Sequence, residues 1–80
     1  MLHTVGYFRK MATDPRRYMQ LYELLSARIA DGTLRPGDRL NIGTLADEHD
    51  MSRPTVAHAL RMLEADGKVS RYPGVGWTVN

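Results

Sequence analysis

Ser52-Arg53-Pro54-Thr55 stands where an apolar pattern of helical period begins. Serine is a strong cap for the free N–H groups of a helix start, and proline is tolerated in a first turn. An arginine between them sits at the positive end of the helix dipole. That combination suits an anionic partner, because a first-turn arginine can reach guanine O6 and N7 with both prongs, or a phosphate oxygen with one. Thr55 can bond a phosphate or a base edge. Pro54 is short and rigid, lets the backbone come close, and offers apolar contact to a thymine methyl. His58 is expected to face outward, opposite Val56, within reach of either. Against this, Arg53 can equally be a solvated side chain or form an internal salt bridge to Asp47, Glu48 or Asp50, and Ser52 can be simply the cap. Arg61, two turns on, points either to phosphate or to solvent.

Other chemistries find less support. His3, His49 and His58 lack i, i+4 spacing and have no cysteine companions, so no metal site is expected. Gly74-Val75-Gly76 is too short to cradle a nucleotide, and no Gly-x-x-x-x-Gly-Lys loop exists. Ser26, Ser52 and Ser70 belong to no histidine–carboxylate constellation that the sequence suggests. The expectation is a protein without catalytic residues or cofactors.

Eighty residues, 42% hydrophobic and 25% charged, fit one ordinary globular domain with a small core. There is no cysteine to staple it. No apolar run approaches the roughly 18 residues of a membrane span, and the first residues lack the apolar centre of a signal peptide, so a cytoplasmic protein is expected. The net charge of +2 is modest, but its distribution is uneven. Arg9, Lys10, Arg16 and Arg17 face only Asp14 early on; Arg53, Arg61, Lys68 and Arg71 face Glu64 and Asp66 later; "LADEHD" between them is acidic. One face attractive to phosphate follows from such a pattern, as does an ordinary solvated surface.

The elements that must position these residues are legible in order. Residues 1–13 lack periodicity and read as an arm, in which Val5, Tyr7 and Phe8 could pack against a partner. Asp14 caps and Pro15 opens a first helix, whose stripe is Tyr18, Leu21, Tyr22, Leu25 and Ile29, and Gly32 closes it. "TLRPGDRL" is a tight connection or a brief strand. Asn41 caps a short second helix with Ile42, Leu45 and Ala46 inward, weakened by Gly43 at roughly 1 kcal/mol relative to alanine. The break "DMS" leads to a third helix, about 53–66, with Val56, Leu60 and Leu63 as its core stripe, Ala59 and Met62 beside them, and Gly67 after it. "KVSRYPGVGWTVN" alternates and reads as a two-stranded hairpin, 69–79. Trp77 is expected to pack the hairpin onto the first helix. Arg71, Tyr72 and Gly74 are its candidates for close approach to a minor groove or to phosphates; the alternative is that Gly74 and Gly76 serve hairpin geometry alone. Arg16, Arg17 and Arg39 are candidate backbone contacts. The predicted fold is mainly α with a small hairpin: a winged helix-turn-helix over residues 14–80.

"YMQLYELLSARIADGTLRPGDRL", "LADEHDMSRPTVAHALRMLEADGKV" and "GVGWTV" together resemble the amino-terminal DNA-binding domain of GntR-family bacterial transcription regulators, over about residues 14–79. The resemblance implies sequence-specific binding of double-stranded DNA by a transcription regulator, most simply a repressor occupying a promoter, with the third helix in the major groove and the hairpin as wing. It also places the Ser52 hydroxyl near phosphate. Three departures stand out. "NIGT" is one residue shorter than the usual segment and lacks its charged residue, and Ala57 replaces a frequent arginine. The chain also ends at Asn80, directly after the wing, so no effector-sensing domain is expected and DNA binding alone is carried over. One such domain buries little DNA, so two copies on a palindrome are expected, with a weak homodimer at most in solution. The rival readings are a winged-helix protein-interaction module, a mobile-element accessory DNA-binding protein, and the excised domain of a larger regulator.

Overall fold

The computed structural model describes residues 15–80. The arm at 1–13, its Val5, Tyr7 and Phe8, and the Asp14 cap lie outside the described residues. Pro15 is the first residue of α1 (Pro15–Ala30), where a missing N–H has no intrahelical acceptor to lose. Leu21 and Leu25 are buried one turn apart, with Tyr18, Tyr22 and Ile29 packed against the core on the same stripe. Gly32 follows at φ 85°, a left-handed position that closes a helix at little steric cost when no side chain is present.

The turn after Leu34 delivers Arg39 and Leu40 into β1 (Arg39–Leu40). This strand pairs antiparallel with β3 (Gly76–Val79), Arg39 opposite Thr78 and Leu40 opposite Trp77. Because β3 also pairs with β2 (Val69–Tyr72), it is the central strand, and the wing is a three-stranded sheet in the order β1-β3-β2. The expected hairpin is therefore present with an added edge. Backbone bonds between Gly37 N–H and the Val79 carbonyl, and between Val79 N–H and the Asp38 carbonyl, both 2.8 Å, seat that edge. A lone hairpin is marginal in water, and the third strand supports it.

Asn41 caps α2 (Ile42–His49) by accepting from the Thr44 N–H at 2.9 Å. The helix ends at Asp50, whose φ of 51° is the left-handed conformation, tolerated by aspartate better than by most residues. After this break comes α3 (Arg53–Ala65). It packs against α1, α2 and β2, and Val56, Ala59, Leu60 and Leu63 on its inner face have no exposed surface. Burying each such valine or leucine is worth about 1.5–3 kcal/mol, so this face fixes how α3 is rotated and which residues it turns outward. The Tyr22 hydroxyl of α1 donates to the Asp66 carboxylate just beyond α3, and Lys68 bonds Ser26 at 3.2 Å. No described helix is long and apolar enough to cross a membrane.

Candidate nucleic-acid interface

The start of α3 is built around Ser52. Its backbone is extended, at φ −71° and ψ 154°, and its hydroxyl oxygen accepts from the Thr55 N–H at 3.3 Å. The two hydroxyls of Ser52 and Thr55 lie 2.8 Å apart. Thr55 is only 2% exposed. The expected contact from Thr55 to a base or phosphate is thus corrected: helical periodicity turns this residue inward with Val56, and its hydroxyl engages the cap. The exposed residues of α3 are Arg53, Pro54, Arg61, Glu64 and Ala65, with half-buried Ala57 between the two arginines. Residues 53, 57 and 61 share one side at four-residue steps.

His58 is a second correction. Its ring is half-buried and packs on Tyr18 of α1, centroids 4.0 Å apart. The imidazole is part of the α1–α3 seam rather than the outward face. Arg17 is a third. Its Nη2 donates to the carbonyls of His49 at 2.6 Å and Asp50 at 3.0 Å. These belong to the end of α2, where carbonyls lack intrahelical partners and the helix dipole is negative. Arg17 therefore ties α1 to the helix-turn-helix corner, and the basic cluster at the start of α1 is not simply a phosphate-facing set.

Arg53 has no such engagement: among the described residues no carboxylate pairs with it. Its guanidinium lies over Gly43 at the first turn of α2, so that a Cβ built on Gly43 would come 3.4 Å from Nη2. It lines an open cleft of about 560 Å³ together with Arg39 and Leu40 of β1, Asn41, Ile42 and the wing residues Val75 and Trp77. Two of the arginines singled out in the sequence, Arg39 and Arg53, thus share one cleft between the wing and α2. Trp77 is buried as expected, but the wall it forms faces this cleft and Ile42.

On the wing, Pro73-Gly74-Val75 makes the turn between β2 and β3, with the Val75 N–H on the Tyr72 carbonyl at 3.0 Å. Gly74 at φ 77° is required by that turn. Tyr72 and Val75 are 52% and 48% exposed, an apolar tip. Arg71 is exposed, and its guanidinium lies 6.0 Å from the centre of the Trp77 ring opposite it, close enough for a cation–π contact. Val75 at the wing tip and Gly43 beside Arg53 were not among the site residues expected from sequence. Val75 was visible as an apolar residue inside a polar turn; Gly43 was visible as a glycine in a helix with no turn to make. Among the described residues no group of three or more histidine, aspartate or glutamate side chains is placed to hold a metal ion.

A family model described as "Bacterial regulatory proteins, gntR family" matches residues 17–79. The Exu regulon transcriptional regulator of Escherichia coli (strain K12) is 42% identical over 66 residues, covering 80% of this chain and 26% of that protein. The uncharacterized HTH-type transcriptional regulator YdcR of the same organism is 40% identical over 67 residues, covering 80% of this chain and 14% of that protein. The chain spans about a quarter or less of the length of these curated relatives. Among solved structures, the AraR DNA-binding domain in complex with operator ORR3 is similar at a TM-score of 0.75 and 26% identity, covering 80% of this chain and 78% of that chain. A transcriptional regulator from Oenococcus oeni is similar at a TM-score of 0.76 and 28% identity, covering 86% and 59%.

Proposed function

Because this chain belongs to the gntR family of bacterial regulatory proteins, we propose that it binds double-stranded DNA sequence-specifically and regulates transcription in the cytoplasm, as a repressor that occupies a promoter. Residues 14–80 form the binding unit. The N-terminal end of α3 enters the major groove, Arg53 takes a guanine edge or an adjacent phosphate, and Arg39, Arg61 and the wing hold the backbone. Two copies occupy a palindrome, since one domain of this size covers too little DNA for useful specificity, and in solution they form at most a weak homodimer.

The observation that carries this reading is Arg53: exposed, at a capped helix start, beside Arg39 across an open cleft, with no carboxylate partner among the described residues. The same fold in the AraR domain sits on an operator, which supports the docking. The test is selection of bound duplexes from a random pool, followed by gel shifts across salt concentrations. Enrichment of an inverted repeat is expected, with the logarithm of affinity falling about 0.9 per logarithmic unit of salt for each phosphate neutralised. No enrichment and no salt dependence would leave the fold serving as a protein-interaction module.

A further inference from the structure

Gly43 is unlike the other described glycines. Those at 32, 37, 67, 74 and 76 hold positive φ, and a Cβ on any of them would meet nothing within 4 Å. Their backbone asks for glycine; their surroundings do not. Gly43 reverses both statements. It has no positive φ, and it is the second residue of α2, a helical position that makes no use of glycine's conformational freedom. Yet a Cβ there would lie 3.2 Å from Asn41 Oδ1, 3.4 Å from Arg53 Nη2 and 3.8 Å from Arg53 Cζ. Space, not conformation, is what the missing side chain supplies, and the guanidinium of Arg53 borders that space.

We propose that Gly43 is a positioning residue for Arg53: the bare first turn of α2 is the seat that sets where the guanidinium points. The inference rests on the reading of Arg53 as a base contact and deepens it into a determinant of specificity. Charge does not hold Arg53 in the seat, because a helix N-terminus is positive and among the described residues no carboxylate pairs with it. The bare turn instead leaves room for the guanidinium to rest against α2. A guanidinium resting there gives up less freedom when it meets a base edge, and among the described residues no carboxylate has to be displaced first. A longer side chain at 43 occupies the seat and redirects Arg53 without changing the charge of the protein.

The test is a double-mutant cycle on base preference. The whole chain, Gly43→Gln, Gly43→Ala, Arg53→Ala and the Gly43→Gln/Arg53→Ala double variant compete for the selected duplex and for the same duplex changed at the guanine that Arg53→Ala ceases to distinguish. The parent should discriminate roughly 5- to 150-fold there. Gly43→Gln should lose most of that ratio while its affinity for unrelated duplex stays within about twofold, since the phosphate contacts are unchanged. Gly43→Ala, whose methyl only reaches contact distance from Arg53, should lose less, and it carries the test if the glutamine variant melts below the assay temperature. With Arg53 already alanine, Gly43→Gln should leave the ratio unchanged; crowding of the Asn41 cap is common to both backgrounds and cancels. An equal effect in both backgrounds, or none in the parent, overturns the positioning role and leaves Arg53 as a base contact. Arg53→Ala with an undiminished preference at every position overturns the underlying reading itself.

Discussion

Two helices of this chain open with arginine beside proline, Pro15-Arg16-Arg17 at α1 and Arg53-Pro54 at α3. As sequence they are equivalent: cations at a helix start, each suited to phosphate. The fold separates them. Arg17 crosses to the end of α2 and donates to two carbonyls, at 2.6 and 3.0 Å. Arg53 rests over a glycine at the opposite end of the same helix, facing an open cleft. One arginine meets the negative pole of α2 and its unpartnered acceptors; the other meets the positive pole, where no acceptor among the described residues engages it. A helix-start arginine is left for a ligand only where the fold brings no orphan acceptor within its reach.

The largest expected effect breaks the comparison on the Arg53 side. Arg53→Ala should weaken binding of the selected duplex by about 1–3 kcal/mol, measured by competition gel shift. Its melting temperature should barely move, because exposed substitutions outside special contacts stay within about ±0.5 kcal/mol. Arg17→Ala should do the reverse. Hydrogen bonds from a charged donor are worth about 1.5–3 kcal/mol, and partial exposure reduces that to about 1–2 kcal/mol here. For a domain of this size each kcal/mol moves the melting temperature by about 4–8 °C, a shift readily seen by circular dichroism, while base preference is unchanged. Arg17→Ala with normal melting and a uniformly weaker, less salt-dependent affinity would make the two arginines alike after all. Ser52→Ala lies between them. Losing the cap should cost about 1 kcal/mol of stability and, by loosening the turn that carries Arg53, reduce discrimination at its base. Melting and competition measured on one preparation decide whether the two losses go together.

How much of this was legible follows from the range of the interactions involved. The stripe Leu21–Leu25, the Asn41 and Ser52 caps and the closing glycines at 32 and 67 are local patterns, and the helices stand where they predict. The core side of α3 was equally readable, but Thr55 shows its limit. A threonine next to a cap reads as a hydroxyl on offer, and only the rotation imposed by Val56, Ala59 and Leu60 turns it inward. His58 and Arg17, named as candidate contacts, pack elsewhere for a different reason. Their partners, Tyr18 for His58 and the end of α2 for Arg17, are far away in the chain, and no single-sequence pattern records such a meeting. β1 is the intermediate case: two residues are too few for a strand signal, and the edge exists because β3 is there to receive it. Gly43 carried its clue in plain sight, as a helical glycine with no bend to make, but the object it makes room for lies ten residues on.

The smallest expected effect tests whether the polar side chains of α1 serve the fold in general. Tyr22 lies on the same helix as Arg17, and its hydroxyl donates to the Asp66 carboxylate. That hydrogen bond, chiefly, raises the phenol above its ordinary value of 10.0, with desolvation and the charge of Asp66 acting in the same direction. The bond needs the proton, so its contribution is fully present below the unfolded value and is lost as pH rises through the raised folded one. The melting temperature of the parent should therefore fall more steeply above pH of about 10 than that of Tyr22→Phe, which has no such proton to lose. Base preference at neutral pH should be the same in both. Coincident alkaline melting profiles would mean that the Tyr22–Asp66 bond does nothing for the fold, leaving Arg17 as the test of whether α1 holds the helix-turn-helix corner while α3 is left to face the groove.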